Sequence, residues 1–272
     1  MLTEIRASNP RRTDLAALRL PLFGATQFPI SFVDGLGPPK AEMSSSKYAN
    51  LDEDHYQGSR VGARNIVLTL ELAPSYSLNQ DAEDLRTQLY KYFAPKNTVN
   101  LEFITTKGTR YISGVVESFE PPMFVQVPAV QISIMCYNPF FNAGTPVVFA
   151  SNVGTGSVFN ITNNGNVPVG FELTAVMASA GTEFLVSLIG SQERPVQIAY
   201  AFPSAKTINV NTNARLKDVK IVTPATSLLP YLVAGSGWPR LQPGLNPLLV
   251  RYVNGSGTNN LTVTFTERFV GL

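Results

Sequence analysis

Between residues 65 and 72 apolar and less apolar side chains alternate, with Ile66, Leu68, Leu70 and Leu72 on one face and Asn65, Val67, Thr69 and Glu71 on the other. A period of two marks a half-buried strand, because successive side chains of extended backbone point to opposite faces. A shorter alternation over Gln27–Val33 stops at the Asp34-Gly35 turn signal. The Ser-, Gly- and charge-rich stretch between them, running to about Gly62, reads as a long loop, and loops of that length usually have a role. The period then changes. Leu78, Ala82, Leu85, Leu89 and Phe93 recur at steps of three and four and share one helical face. Ser77 with Gln80 predicts a capping box at its start, and Ala94-Pro95 a stop at its end.

Strand alternation resumes at Val99, Leu101 and Phe103. Lys107-Gly108 turns the chain into a partner strand through Tyr111, Ile112 and Val115, which predicts a hairpin. After Pro121-Pro122, Val130, Ile132, Ile134 and Cys136 alternate with Gln131, Ser133 and Met135. Beyond Pro139-Phe140-Phe141 no extended 3.6-residue period remains. Short alternating runs (Phe171 and Leu173; Phe184, Val186 and Leu188; Leu261, Val263 and Phe265) are separated by Gly154-Thr155-Gly156, Asn163-Asn164-Gly165 and Asn254-Gly255-Ser256-Gly257. Many short strands between turn clusters predict an antiparallel β-sandwich. The expected fold is therefore mainly β. An α+β domain with one helix spans residues 1–141, with an arm over 1–26, and a β-sandwich domain spans 142–272.

Composition narrows the function. Hydrophobic residues make up 44% of the 272 positions and charged residues only 15%, so a large core is available and the surface relies on Asn, Thr, Ser and Gln. Weakly charged surfaces suit burial against other subunits. A net charge of +2 gives no electrostatic case for nucleic-acid binding. Arg6, Arg11, Arg12 and Arg19 concentrate positive charge near the N-terminus, where a solvated or partner-contacting arm is preferred to a DNA-binding one. The single cysteine, Cys136, falls in the inward register of its strand and fits a reducing cytoplasm. The N-terminal residues lack the apolar stretch of a signal peptide, and no apolar run is long enough to span a bilayer.

The search for chemistry is mostly negative. One histidine, His55, excludes zinc motifs that need two, and no nucleophile elbow or phosphate loop accompanies it. Asp52-Glu53-Asp54 lacks the alternating oxygen spacing of a calcium loop, so a solvated acidic patch is expected. No metal or cofactor is expected. Glu117 and Glu120 are close enough in sequence to suggest a cell-wall hydrolase, although paired carboxylates also need a cleft. Trp238, the only tryptophan, with Tyr231 and Arg240 nearby, suggests an alternative: a carbohydrate-binding module contributing to host-surface recognition. The reading preferred for Trp238 is a plug in the sandwich core.

Several blocks carry a family resemblance. They are Ile30–Asp34 with Gly35-Leu36-Gly37-Pro38-Pro39, the segment Gly58–Ile66, the helix end Leu89–Lys96, Gly114–Glu117, and Gln131–Phe141 with its Cys136-Tyr137-Asn138-Pro139-Phe140-Phe141 ending. In the second half Ile161–Gly165, Trp238–Asn246 and Arg268–Gly271 also fit. In this order and spacing they resemble the distal tail protein family of bacteriophages. The resemblance implies a non-enzymatic structural protein of the tail tip or baseplate. Six N-terminal belt domains would close into a homohexameric ring at the distal end of the tail tube, and galectin-like C-terminal sandwiches would project outward. DNA would pass through the ring without specific binding, and nothing would insert into a membrane. Implied partners are the tail tube protein, a lysin-like tail hub protein, and receptor-binding or side-fibre proteins. The implied location is the virion, after synthesis in the host cytoplasm. Strand edges such as the hairpin from Leu101 to Val115 are expected to pair between neighbours. The second domain has no insertion large enough for an added receptor-binding module, and the segment before Gln27 is expected to contact a neighbouring tail protein.

Overall fold

A computed structural model describes residues 1–24, 26–47, 52–75, 80–121, 128–154, 156–255 and 259–272. The chain divides into two compact units, one of residues 1–144 with 269–272, the other of 145–268. The last four residues, assigned by sequence pattern to the second domain, thus return to the first unit.

The first unit contains strands β1 (Leu2–Ser8), β2 (Leu18–Pro21), β3 (Ile30–Asp34), β4 (Ala41–Lys47), β5 (Asp54–Val61) and β6 (Arg64–Glu71). Helix α1 (Ala82–Phe93) follows, then β7 (Thr98–Thr105), β8 (Gly108–Glu120), β9 (Ala129–Cys136) and β10 (Phe141–Ala143). One antiparallel sheet runs β2-β1-β7-β8-β9-β6-β3. The period-two alternation puts Ile66, Leu68 and Leu70 of β6, Val99, Leu101 and Phe103 of β7, and Ile132, Ile134 and Cys136 of β9 into one core. Gly114 of β8 sits where a Cβ would lie 2.5 Å from Ile134 and 2.8 Å from the Cys136 sulfur, so this close strand approach requires glycine. A register shift between Val116 and Ser118 places a bulge at Glu117.

Helix α1 covers this core with Leu85, Leu89 and Phe93, all fully buried. Its start differs from the expectation. The N-cap is Asp81, whose carboxylate accepts from the backbone N–H groups of Glu83 and Asp84, each at 2.8 Å. The Asp84 carboxylate accepts in return from the Asp81 N–H at 3.2 Å, completing the box. Two carboxylates at the positive end of the helix dipole explain why this site wins. Gln80 instead bonds to Gln27 at 2.6 Å, while Ser77 and Leu78 lie outside the described residues.

Three other expectations are corrected. Residues 1–26 are not an arm. Strand β1 lies inside the sheet between β2 and β7, Ile5, Ala7, Leu18 and Leu20 are buried, and the Tyr92 hydroxyl donates to the Ala16 carbonyl at 2.8 Å. The stretch to Gly62 is not a plain loop, because β4 and β5 pair from Ala41↔Val61 to Lys47↔Asp54 as a separate two-stranded ribbon. The β7–β8 hairpin has no free long edge, since β1 flanks one side and β9 with β10 the other. The free edges of the main path are β2 and β3.

The second unit holds β11 (Val147–Val153), β12 (Gly156–Asn163), β13 (Glu172–Val176), β14 (Gly181–Leu188), β15 (Val196–Phe202), β16 (Thr207–Asn211), β17 (Asp218–Ile221), β18 (Thr226–Ser227), β19 (Gly244–Val253) and β20 (Asn259–Phe265). The short β21 (Arg268–Phe269) pairs with β10. A six-stranded sheet, β11-β20-β13-β16-β17-β18, and a four-stranded sheet, β12-β19-β14-β15, share one core that includes Phe171, Phe184, Phe202 and Leu248. That arrangement is an antiparallel β-sandwich.

Leu89→Ala should destabilise the protein by about 2–5 kcal/mol, because the side chain is fully buried and leaves a cavity. Asp81→Ala should cost only about 0.5–2 kcal/mol through the lost cap. Urea unfolding of the two variants beside the parent chain checks both values and their order.

Candidate assembly surface

The period-two phase of β6 extends inward to its first residue, and that residue is Arg64, only 3% exposed. Among the described residues its guanidinium finds no carboxylate. Instead Nε donates to the Pro139 carbonyl at 2.8 Å, and Nη1 donates to the Gly35 and Gly37 carbonyls at 2.6 and 2.7 Å. Nη2 donates to the Val270 carbonyl, and the group lies 4.5 Å from the Phe141 ring centre. Burial pulls the Arg64 pKa below its usual value. The same burial pushes the neighbouring Cys136 thiol up to about 11, opposed by the Arg64 charge, so Cys136 is an inert core thiol.

This clamp explains the Gly-Leu-Gly-Pro-Pro turn. Gly35 has φ +81°, and a Cβ there would lie 2.0 Å from the Asn65 carbonyl oxygen. The turn presents two carbonyls to Arg64 and one more, from Leu36, to the Leu272 N–H at 3.2 Å. Arg110 stacks 3.6 Å from the Phe269 ring centre and holds the same tail.

The ribbon departs from and returns to this clamp. Residues Pro38–Lys40 lead into β4, and Gly62-Ala63 connect β5 to Arg64. On one ribbon face lie Ala41, Met43, Ser59 and Val61, joined by Tyr56, whose hydroxyl donates to Ser59 at 2.8 Å. The opposite face carries the Glu42–Arg60 ion pair at 2.6 Å. Met43 is 70% exposed and Tyr56 59% exposed. An isolated two-stranded hairpin is marginal in water, so an exposed apolar face on one is a surface shaped for a partner.

Of the N-terminal arginines, Arg6, Arg12 and Arg19 have side-chain partners within the chain. Glu4 accepts from Arg19 Nε at 2.6 Å and from Arg6 Nε at 3.0 Å, and Arg12 pairs with Asp14 at 2.8 Å. Hydrogen bonds from Arg19 and Arg6 hold the Glu4 carboxyl down to about 2.

The residues singled out for chemistry are scattered. His55 is exposed on β5 opposite Ser46, and Asp54 faces Lys47. Glu117 and Glu120 are exposed on β8, with Glu117 accepting from the Ser133 hydroxyl at 2.8 Å. Trp238 packs half-buried against the sandwich core, Tyr231 meets the Tyr200 ring at 4.7 Å, and Arg240 pairs with Glu193 at 2.9 Å. Among the described residues no group of three or more His, Cys, Asp or Glu could hold a metal ion, and no helix is long and apolar enough to cross a membrane. Sequence reasoning overlooked Arg64, although a charged residue in the inward phase of β6 was its signal.

Comparison with known proteins gives this architecture its class. Residues 22–136 match the phage tail protein RIFT-related domain, and residues 164–269 match the siphovirus-type tail component, C-terminal domain. The protein is a structural component of the phage tail. The crystal structure of the Dit protein of phage SPP1 superposes with a TM-score of 0.66 at 17% identity, over 89% of this chain and 94% of that one. The baseplate of phage P2 in its activated conformation with calcium aligns over 100% of both chains at 12% identity, with a TM-score of 0.43. No curated protein matches the sequence. With both domain models matched in order, the chain belongs to the distal tail protein family.

Arg64→Met should destabilise the first unit by about 3 kcal/mol or more, since it strands several buried carbonyls. Arg64→Lys should recover little of this, because an ammonium cannot reproduce the planar fork. Thermal and urea unfolding of both variants checks this. Glu4→Gln gives a pH test. The folded Glu4 pKa lies below the unfolded value near 4.5, so its contribution is present above 4.5 and lost as pH falls toward 2. The difference in melting temperature between the parent chain and Glu4→Gln should close over that window.

Proposed function

We propose that this chain is a non-enzymatic building block of the tail tip, six copies of which close into a ring at the distal end of the tail tube. In this reading the first unit is the belt. The second, a galectin-like sandwich, serves as a docking platform for hub and receptor-binding or side-fibre proteins. DNA passes through the ring without specific binding, in keeping with a net charge of only +2.

The observation that carries the reading is the β4–β5 ribbon, with Met43 and Tyr56 exposed on a two-stranded element that buries none of its residues. A closed ring of identical subunits joined head to tail needs two different patches per subunit. The ribbon supplies one. The free edges β2 and β3, with Phe32 58% exposed on β3, are candidates for the other. Such contacts also remove the hazard of open strand edges.

Light scattering coupled to size-exclusion chromatography tests the reading on the full chain and on a Met43→Asp, Tyr56→Asp double variant. The parent chain should give a concentration-dependent oligomer approaching six subunits, and the variant a monomer with unchanged thermal unfolding. A parent chain that stays monomeric, together with a double variant that enters tails as efficiently as the parent, would sink the proposal.

A further inference from the structure

The second unit carries an open cleft of about 490 Å³ that the ring reading does not use. One wall is the turn from Leu188 to Glu193 between β14 and β15, and the other is the segment from Gln242 to Pro247 that enters β19. Both walls are fixed by hydrogen bonds. The Ser191 hydroxyl accepts from the Glu193 N–H at 3.1 Å. Asn246, only 4% exposed, accepts from the Gln242 N–H at 2.7 Å and donates to the Gln242 and Gly244 carbonyls at 2.7 and 2.8 Å. The Ile189 N–H joins the walls by donating to the Pro247 carbonyl at 2.9 Å. The cleft is therefore preformed, as binding sites usually are.

Its polar groups have a distinct arrangement. Oε1 of Glu193 takes Arg240 Nε at 3.0 Å, Arg240 Nη2 at 2.9 Å and Gln242 Nε2 at 3.3 Å. Arg240 thus neutralises the carboxylate and fixes its plane. Oε2 of Glu193, Oε1 of Gln242 and the whole Gln192 amide have no partner among the described residues. Beside them Ile189 is 48% and Leu245 65% exposed.

We propose that this cleft binds a neutral saccharide. A pyranose offers vicinal hydroxyls that bridge the two atoms of the Gln192 amide and donate singly to Oε2 of Glu193 and Oε1 of Gln242, whose other atoms are already engaged, and C–H faces that pack on aliphatic side chains. Groups that both donate and accept, next to exposed aliphatic surface and with no net charge, fit that chemistry. An anion would meet Glu193, a cation would meet Arg240, and a purely apolar ligand would strand the amides. An extended peptide is recognised through a sheet edge or a run of backbone groups, whereas the free groups here are side-chain amides and a carboxylate. The site keeps Arg240 from the sequence-level constellation and leaves out Trp238 and Tyr231.

NMR titration of the full chain tests this with neutral di- and trisaccharides of glucose, galactose and N-acetylglucosamine, using a uronic-acid disaccharide and inorganic phosphate as charged comparators. At least one neutral saccharide should shift the Gln192 and Gln242 side-chain amides and the Ile189 and Leu245 methyls, with affinity on the order of millimolar. Gln192→Ala, at an exposed position, and Glu193→Gln should each weaken binding about tenfold or more, equivalent to about 1.4 kcal/mol. Trp238→Phe should leave it unchanged. The proposal is overturned if no neutral saccharide shifts these signals, if the charged comparators bind as well, or if Gln192→Ala binds like the parent.

Discussion

A guanidinium buried without a carboxylate is costly unless nearly every N–H finds an acceptor. Arg64 meets that condition by drawing carbonyls from three remote segments: Gly35 and Gly37 after β3, Pro139 after β9, and Val270 in the tail. Removing any one of them leaves part of a buried cation unsatisfied, so the three must assemble together. The Gly35–Pro39 turn, the Pro139–Phe141 corner and the four-residue tail are thus one structural unit. The ribbon is rooted at this point, entered from Lys40 and left through Ala63. A two-stranded element with no core of its own owes its placement to such a root.

The low charge content also finds its place in the structure. Register places Thr264, Glu172, Asn211 and Asp218 in one row across the six-stranded sheet, and Thr262, Thr174, Asn209 and Lys220 in the next, with Lys220 paired to Asp218 at 3.2 Å. Asn209 bonds to Glu172 at 2.7 Å and to Thr174 at 3.2 Å, so hydroxyls and amides do much of the work that ion pairs do on many solvent-facing sheets. Such a face loses less on desolvation than one covered with ions, which suits the packed assembly proposed above. On the first unit Glu4 pairs with both Arg6 and Arg19, and Arg6 also meets Glu102 at 3.8 Å.

What could be read in advance follows from how local each signal is. β6, β7 and β9 each have one buried face, so their period is written in consecutive residues, and the Leu85, Leu89 and Phe93 face of α1 is equally local. β4 and β5 are solvated on both faces, and Ser44-Ser45-Ser46 carries no period, so the ribbon looked like a loop. β1 alternates Ile5 and Ala7 with Glu4 and Arg6, and its charges masked a strand inside the sheet. The cap moved to Asp81 because Asp84 could reciprocate, a competition that a Ser77–Gln80 match does not reveal. The acceptors of Arg64 are main-chain carbonyls, which have no side-chain signature at all. The family blocks were legible for a related reason: Gly35-Leu36-Gly37-Pro38-Pro39 and the Pro139–Phe141 corner are the sequence imprint of the clamp. The cleft between Gln192 and Gln242 joins residues some fifty positions apart, and only the sandwich brings them together.

In the proposed ring, the clamp at Arg64 presents the β4–β5 ribbon to a neighbouring copy. Electron cryomicroscopy of intact tail tips addresses it most directly. The expected image is a closed ring of this chain at the end of the tube, with the Met43 and Tyr56 face of each ribbon buried against the next subunit. A ring whose ribbons stand free in solvent, or a tail tip from which the chain is absent, would contradict it.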